Sequence, residues 1–260
     1  LVELDKPVSY CCIDSEAGHD AFLLENEVGQ YGSITSSFLK KISGSLEEQK
    51  AKKSTLTSTN IFFDDRLDLN FISGLVSKGD RVLDLGCEDG SLLRELRKKN
   101  CSKLLGIEID PIKVIDSVET GIEVINSDIN VGLDRFNNDQ FDVTILSQTL
   151  QSIKNVEKTI QQILRISKKA IISFPNFAFK PLREMLFHQG KAPKLEGLYG
   201  YNWYNTPNRR FPTIVDFEEF CKEQNILVNE SFFIDTKNKE FIKENPNLNA
   251  DTAIFVLSKK

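Results

Sequence analysis

Three acidic residues stand where short apolar runs end. Asp84 closes on the run 81–85, Glu108 on 104–109, and Asp128 follows 121–126. A fourth run, 141–146, ends on Ser147-Gln148. If these runs are neighbouring parallel strands, the side chains converge on one crevice, because open α/β sheets gather ligands at the carboxyl ends of their strands. The turn after the first run, Gly86-Cys87-Glu88-Asp89-Gly90, discriminates between two cofactor chemistries. A dinucleotide needs G-x-G-x-x-G, so that backbone N–H groups at a helix start can touch its pyrophosphate. Counted from Gly86, the other two places hold Glu88 and Ser91, and Glu88 repels a pyrophosphate. That speaks against a dinucleotide oxidoreductase. S-adenosylmethionine carries a sulfonium, an ammonium and a ribose but no phosphate. Asp84 suits its amino group, Glu108 its ribose hydroxyls, and Asp128 its adenine amine. Acids also gather at strand ends as caps and turn formers, so the pattern alone leaves both readings open.

The elements that must position these residues are legible as alternation. Leu67, Phe71 and Leu75 recur every four residues with Ile72 and Val76 beside them, which predicts a helix over 65–77. Leu92, Leu93 and Leu96 mark a helix after the first strand, and Asp110-Pro111 is a helix start after the second. Val156, Ile160, Ile163 and Leu164 define another helix, and 169–174 a fifth strand. Strands alternating with helices imply a parallel sheet covered on both faces. The stretches 226–235 and 252–258 have no helical pattern between them and are expected to pair antiparallel at the sheet edge. Residues 43–60, SGSLEEQKAKKSTLTSTN, carry too few apolar side chains to build a face and read as a solvated linker.

Composition narrows the class. The 260 residues carry 33 Lys plus Arg against 38 Asp plus Glu, a net charge of −5, which argues against nucleic acid or an anionic membrane as main partner. Apolar residues make 40 %, a globular level, and no apolar run is long enough to span a bilayer. The cysteines Cys11, Cys12, Cys87, Cys101 and Cys221 are odd in number and lack zinc-ligand spacing. With only His19 and His188 as histidines, no metal site is expected, and a reduced, cytoplasmic protein fits best. No secretory leader opens the chain, and residue 1 is Leu, so the natural start is expected to be lost or upstream.

The body carries more specific wording. VLDLGCEDGSLL, LLGIEID, FDVTILSQTLQSI, ISFPNFAF, YNWYNTPNRRF and TIVDFEEFC together resemble the MetW family, class I methyltransferase-like proteins of methionine biosynthesis. ILSQTLQ, SFPNF and WYNTPN set the resemblance apart from methyltransferases in general. It implies a Rossmann-like α/β fold with a mostly parallel seven-stranded sheet and an antiparallel edge pair, binding S-adenosylmethionine. Carried over position by position, Asp84, Gly86, Cys87, Gly90, Glu108, Ile109, Asp128, Ile129, Ser147 and Gln148 would line the cofactor pocket. One position departs from the family's Gly-Cys-Gly-Asp-Gly turn, because Glu88 stands at the middle glycine. If φ is positive there, a non-Gly residue costs about 1 kcal/mol or more. Its carboxylate would also oppose the methionine carboxylate of the cofactor.

The wording of the N-terminal segment is different. VSYCCIDSEAGHDAFLLE reads as a strand at 8–13, a turn and an apolar helix start. It resembles the C-terminal end of homoserine O-acetyltransferase, an α/β-hydrolase-fold enzyme of the same pathway. The resemblance implies that His19 is a triad histidine, inactive here because the serine and the acid it serves lie upstream in that family. The expected organisation is an acyltransferase remnant over 1–42, a linker over 43–60 and a MetW-like domain over 61–260. The implied function is an S-adenosylmethionine-dependent methyltransferase acting on a small molecule in methionine synthesis, fused to the acyltransferase. The alternative is a non-catalytic module that activates homoserine O-acetyltransferase, its partner in cis or in trans. Four further features stay open between two roles each. Tyr201, Trp203, Tyr204 and Pro207 form an acceptor-site wall or a cap folded back on the core. Asn176 orients a substrate or makes an Asx-turn, Arg209-Arg210 meets an anion or is solvated, and His188 caps a helix end or serves as a catalyst.

Overall fold

A computed structural model describes residues 66–195 and 199–260, together with helical positions Gly32, Thr35, Ser36 and Leu39. The expected strand at 8–13, the turn of His19 and the linker at 43–60 lie outside the described residues.

The chain enters through α1 (Leu67–Gly74) and then alternates. In order come β1 (Arg81–Leu85), α2 (Ser91–Lys98), β2 (Lys103–Glu108), α3 (Pro111–Glu119), β3 (Glu123–Asn126), the short α4 (Ile129–Gly132) and β4 (Phe141–Ser147). Then follow α5 (Val156–Ile166), β5 (Ser167–Pro175), α6 (Lys180–Gln189), α7 (Ile214–Glu223), β6 (Leu227–Asp235), β7 (Glu240–Phe241), α8 (Pro246–Asn249) and β8 (Thr252–Ser258). The sheet order is β3-β2-β1-β4-β5-β8-β6-β7. β1 to β5 are parallel, and β8 runs antiparallel to both β5 and β6.

The expected edge pair is therefore present, but among the described residues the sheet has eight strands rather than seven. The extra strand, β7, has two residues and pairs Phe241 with Ile234. Two residues carry no period, so nothing in the sequence marks them as a strand. Their return is explained by packing: the ring of Phe71 on α1 meets Phe241 at 4.8 Å and Phe232 at 4.6 Å.

The central strands are apolar throughout because helices cover both faces. One buried cluster gathers Leu83, Leu85, Ile107, Leu146, Phe174 and Phe255 with α5 and α7. The other gathers Ile72, Val82, Leu93, Val114, Ile145 and Ile254 with α1, α2 and α3. Phe174 is fully buried and packs on Phe217 at 4.9 Å and stacks on Phe255 at 5.9 Å. These contacts lock α7 and β8 onto β5.

The winding sets the site. The chain runs β1 to β2 to β3 outward, then returns across to β4 and β5 on the other side of β1. The loops after β1 and β4 diverge at this switch point and leave a crevice. Asp84 pairs in register with Gly106 of β2 and Ile145 of β4, so it sits at the centre of the sheet.

Candidate functional site

The turn after β1 is built from left-handed backbone. Gly86 has φ +76, Glu88 φ +48 and Gly90 φ +73. The amides of Gly86 and Cys87 both donate to Ile107 O of β2, and Gly90 N donates to Cys87 O at 2.9 Å. A Cβ at Gly86 would lie 2.7 Å from Thr149 Oγ1, so glycine is required there both by φ and by the approach of the β4 loop. Cys87 points inward, and a Cβ at Gly106 would collide with its sulfur. Glu88 therefore occupies, with its side chain exposed, a left-handed conformation that glycine adopts without strain. Its carbonyl accepts from Ser117 Oγ at 2.9 Å, which helps hold the strained residue. Gly90 is the N-cap of α2, and Asp89 before it accepts from Ser91 N, the first amide of the helix, at 3.1 Å. Burial pushes its carboxyl up, but Ser91 and Arg94 outweigh that and keep it below the ordinary range.

Asp84 lies beneath this turn, 3 % exposed. Its carboxyl makes no side-chain hydrogen bond among the described residues. Burial, then the negative charges of Glu108 and Glu88, push it up to about 7. A buried carboxyl without a partner is costly to ionise unless a cation arrives.

Glu108, at the end of β2, is the opposite case. Its Oε2 accepts from Glu88 N at 3.0 Å, and its Oε1 from Ile109 N at 2.8 Å and Asp110 N at 2.9 Å. Three backbone N–H groups hold the carboxylate in one orientation, while lone pairs remain for further donors. The Asn126 amide donates to Glu108 O and Ile109 O, which ties the ends of β2 and β3 together. Beside them Ile109 is 64 % exposed, an apolar side chain open to solvent at the rim.

Asp128 accepts from Asn130 N at 2.8 Å and Asn130 Nδ2 at 2.6 Å and so caps α4. Its other oxygen lies 3.7 Å from Lys154 Nζ. Burial would raise its carboxyl, but these partners hold it below the ordinary range. The turn-forming reading of strand-end acids is thus realised at Asp128. Ile129 behind it is half-buried against the core.

After β4, Ser147 Oγ meets Ser173 Oγ at 3.0 Å. Gln148 has φ +50, and its amide N donates to Ser173 O at 2.9 Å. Both Gln148 side-chain amide atoms are buried without a hydrogen-bond partner among the described residues. Such a group is rare in a folded protein and calls for a ligand or a water.

The structure thus draws Asp84, Gly86, Cys87, Gly90, Glu108, Ile109, Asp128, Ile129, Ser147 and Gln148 to adjoining strand ends. Sequence reasoning does not single out Asn126, Thr149 or Ser173. Their roles are backbone ties and close approaches, which leave no compositional signal. Asn176 makes the Asx-turn: its Oδ1 accepts from Ala178 N, and its Nδ2 donates to Ala250 O and Asn247 O. Tyr201, Trp203 and Tyr204 do not fold back on the core, because all three are exposed. The aromatic residue that does cap the core is Tyr199, whose hydroxyl donates to Asp251 O at 2.6 Å. Arg209 and Arg210 are exposed, with both backbone amides bonded to Gln151 O. His188 lies in the last turn of α6, which Gly190 closes at φ +61. A cavity of about 580 Å³ lies elsewhere, lined by Lys180, Asp235, Glu240 and Phe241 beyond β5 from the glycine turn.

This winding, with a glycine turn after β1 and an acid ending β2, defines a class I methyltransferase-like fold. Solved structures agree. An S-adenosylmethionine dependent methyltransferase from Mesorhizobium loti superposes with a TM-score of 0.57 at 12 % identity, over 74 % of this chain and 97 % of that one. A SAM dependent methyltransferase from Archaeoglobus fulgidus gives 0.53 at 14 % identity, over 76 % and 99 %. The model of the family "Methionine biosynthesis protein MetW" matches residues 66–257, and the chain belongs to that family. A curated relative, the "Bifunctional methionine biosynthesis protein MetXA/MetW" of Rhodopirellula baltica (strain DSM 10527 / NCIMB 13988 / SH1), is 37 % identical over all of this chain. The chain spans 42 % of that relative's length. Among the described residues, no helix is long and apolar enough to cross a membrane.

Proposed function

We propose that the strand ends of β1 to β4 form an S-adenosylmethionine site and that the domain serves methionine biosynthesis beside a homoserine O-acetyltransferase unit, in the cytoplasm. Asp84 carries the reading. A buried carboxyl with no donor among the described residues and an affinity for protons up to about pH 7 is matched by a ligand ammonium. Glu108, fixed by three amides, accepts from the ribose hydroxyls, and Ile109 covers the adenine face. Asp128 offers the oxygen not taken by Asn130 to the adenine amine. The unpartnered amide of Gln148 supplies a donor and an acceptor at the inner end of the pocket. Bound there, the cofactor supplies an electrophilic methyl group.

In the same proposal residues 1–42 are the end of the acyltransferase, with His19 its triad histidine, 43–60 is the linker and 61–260 the MetW-like domain. The relative's bifunctional name supports this organisation. Glu88 favours a second reading, a module that regulates the acyltransferase without transferring methyl groups. It is strained at φ +48 and adds negative charge to a site that must admit a carboxylate.

Calorimetric titration of the chain with S-adenosylmethionine, beside Glu88→Gly, separates the readings. Micromolar binding by the native chain supports the cofactor site, and Glu88→Gly is expected to tighten it about tenfold, the equivalent of ~1.4 kcal/mol. Binding by Glu88→Gly alone supports the regulatory module. Binding by neither overturns the roles given to Asp84, Glu108 and Asp128.

A further inference from the structure

The segment joining β5 to α7 carries charge of the wrong sign for its chain. From 180 to 210 the sequence holds six basic residues and two glutamates, net +4, in a protein of net −5. Its large apolar side chains face water. Phe187 is 84 % exposed and Trp203 77 %, and Leu186, Tyr201, Tyr204 and Phe211 are exposed with them. These residues are held near one another. Lys194 N meets Met185 Sδ at 3.2 Å and Lys194 Nζ meets Asn202 Oδ1 at 2.8 Å, which fastens the aromatic loop beside the end of α6. The rings of Trp203 and Tyr204 meet edge to face at 5.7 Å. The fold does not need them, since Leu182 and Tyr199 anchor the segment. Clustered exposed aromatics ringed by cations mark a docking face.

We propose that this face docks the acidic N-terminal segment of the same chain, residues 1–31, and through it the acyltransferase unit. The inference rests on the partner reading given above. Charge complementarity selects the occupant: residues 1–31 hold seven acidic residues and only Lys6 as a base, net −6 with His19 neutral. The tether also suits. Arg66, whose guanidinium is fixed on Asp68 by two bonds of 2.9 Å, lies within electrostatic reach of Glu88. The chain therefore enters the domain at the carboxyl ends of the strands. The basic segment begins at that same end, where Pro175 closes β5, and returns to it where Arg209 and Arg210 bond Gln151 O. By its composition a linker of about 18 residues would span roughly 25 Å, enough to bring the segment across at high effective concentration.

Trp203 is the only tryptophan of the chain, so its emission reports on this face directly. Acrylamide quenching is measured on the full chain and on a variant carrying Asp14→Asn, Glu16→Gln, Asp20→Asn, Glu25→Gln and Glu27→Gln. The native chain is expected to shield Trp203 about threefold relative to free indole, and about 1 M salt, where the Debye length is about 3 Å, to abolish the shielding. The five-substitution variant, which leaves residues 1–31 at net −1, is expected to lose it at low salt. Quenching like free indole in every sample overturns the proposal. So does shielding that depends on protein concentration, which assigns the face to a second copy. Shielding that neither salt, neutralisation nor dilution removes also overturns it, because the loop then covers itself. Titrating the same samples with S-adenosylmethionine reads the cofactor site separately, so either idea can fail while the other stands.

Discussion

Replacing Asp84 by Asn tests the electrostatics of the site through folding alone. Unfolded, the carboxyl titrates near 3.8, and in the fold burial and the charges of Glu108 and Glu88 bring it to about 7. The native state therefore keeps a proton that the unfolded chain has released. Stability is highest below the unfolded value and falls as pH rises from about 4 to about 7, the reverse of the usual carboxylate. The slope is about 1.4 kcal/mol per pH unit, so the full window holds up to ~4 kcal/mol. Asn is neutral at every pH, so Asp84→Asn removes this slope. Asp251, also raised by burial, contributes equally to both proteins and cancels in the comparison. The assay is urea unfolding at about pH 5 and about pH 7.5, with the expected native-minus-variant change of ~3 kcal/mol read from the midpoints. Parallel pH profiles for the two proteins would refute the reasoning, because Asp84 would then be ionised in the fold. The same titration links to ligand: an ammonium bound by Asp84 needs the carboxylate, so cofactor affinity is expected to rise with pH until about 7.

Two further perturbations test the scaffold. Gly86→Ala places a Cβ 2.7 Å from Thr149 Oγ1 at φ +76, and unfolding is expected to show a loss of at least ~1–2 kcal/mol, with Thr149→Ala relieving only the collision. Phe174→Ala empties the contact of β5 with Phe217 and Phe255, with an expected loss of ~3–5 kcal/mol in urea unfolding and early protease access to α7.

The order of elements from α1 to β5 was readable because each has its own period: Leu67, Phe71 and Leu75 on a helix, the continuous apolar run of 81–85 on a strand. The strand-end acids were readable for the same reason, since a parallel sheet buried on both faces has nowhere else to place them. Glu88 showed in sequence as a departure from a glycine, and that its φ is +48 followed only from the folded turn. A two-residue strand such as β7 has no pattern to read.

What the sequence determines by itself is local: hydrophobic periods, turn residues and caps fix which segments are helices and strands, and the specific wording fixes the family. What tertiary structure alone decides is long-range and electrostatic. The same kind of residue, a strand-end acid, becomes three different groups. Asp84 is buried with no hydrogen-bond donor among the described residues and is raised to about 7, Glu108 is pinned by three amides, and Asp128 is engaged by Asn130 and Lys154. The aromatic loop divides in the same way, Tyr199 capping the core while Trp203 faces water. Composition cannot separate these cases, because the free energy of a charge or a ring depends on what surrounds it in the fold, and those neighbours come from distant parts of the chain.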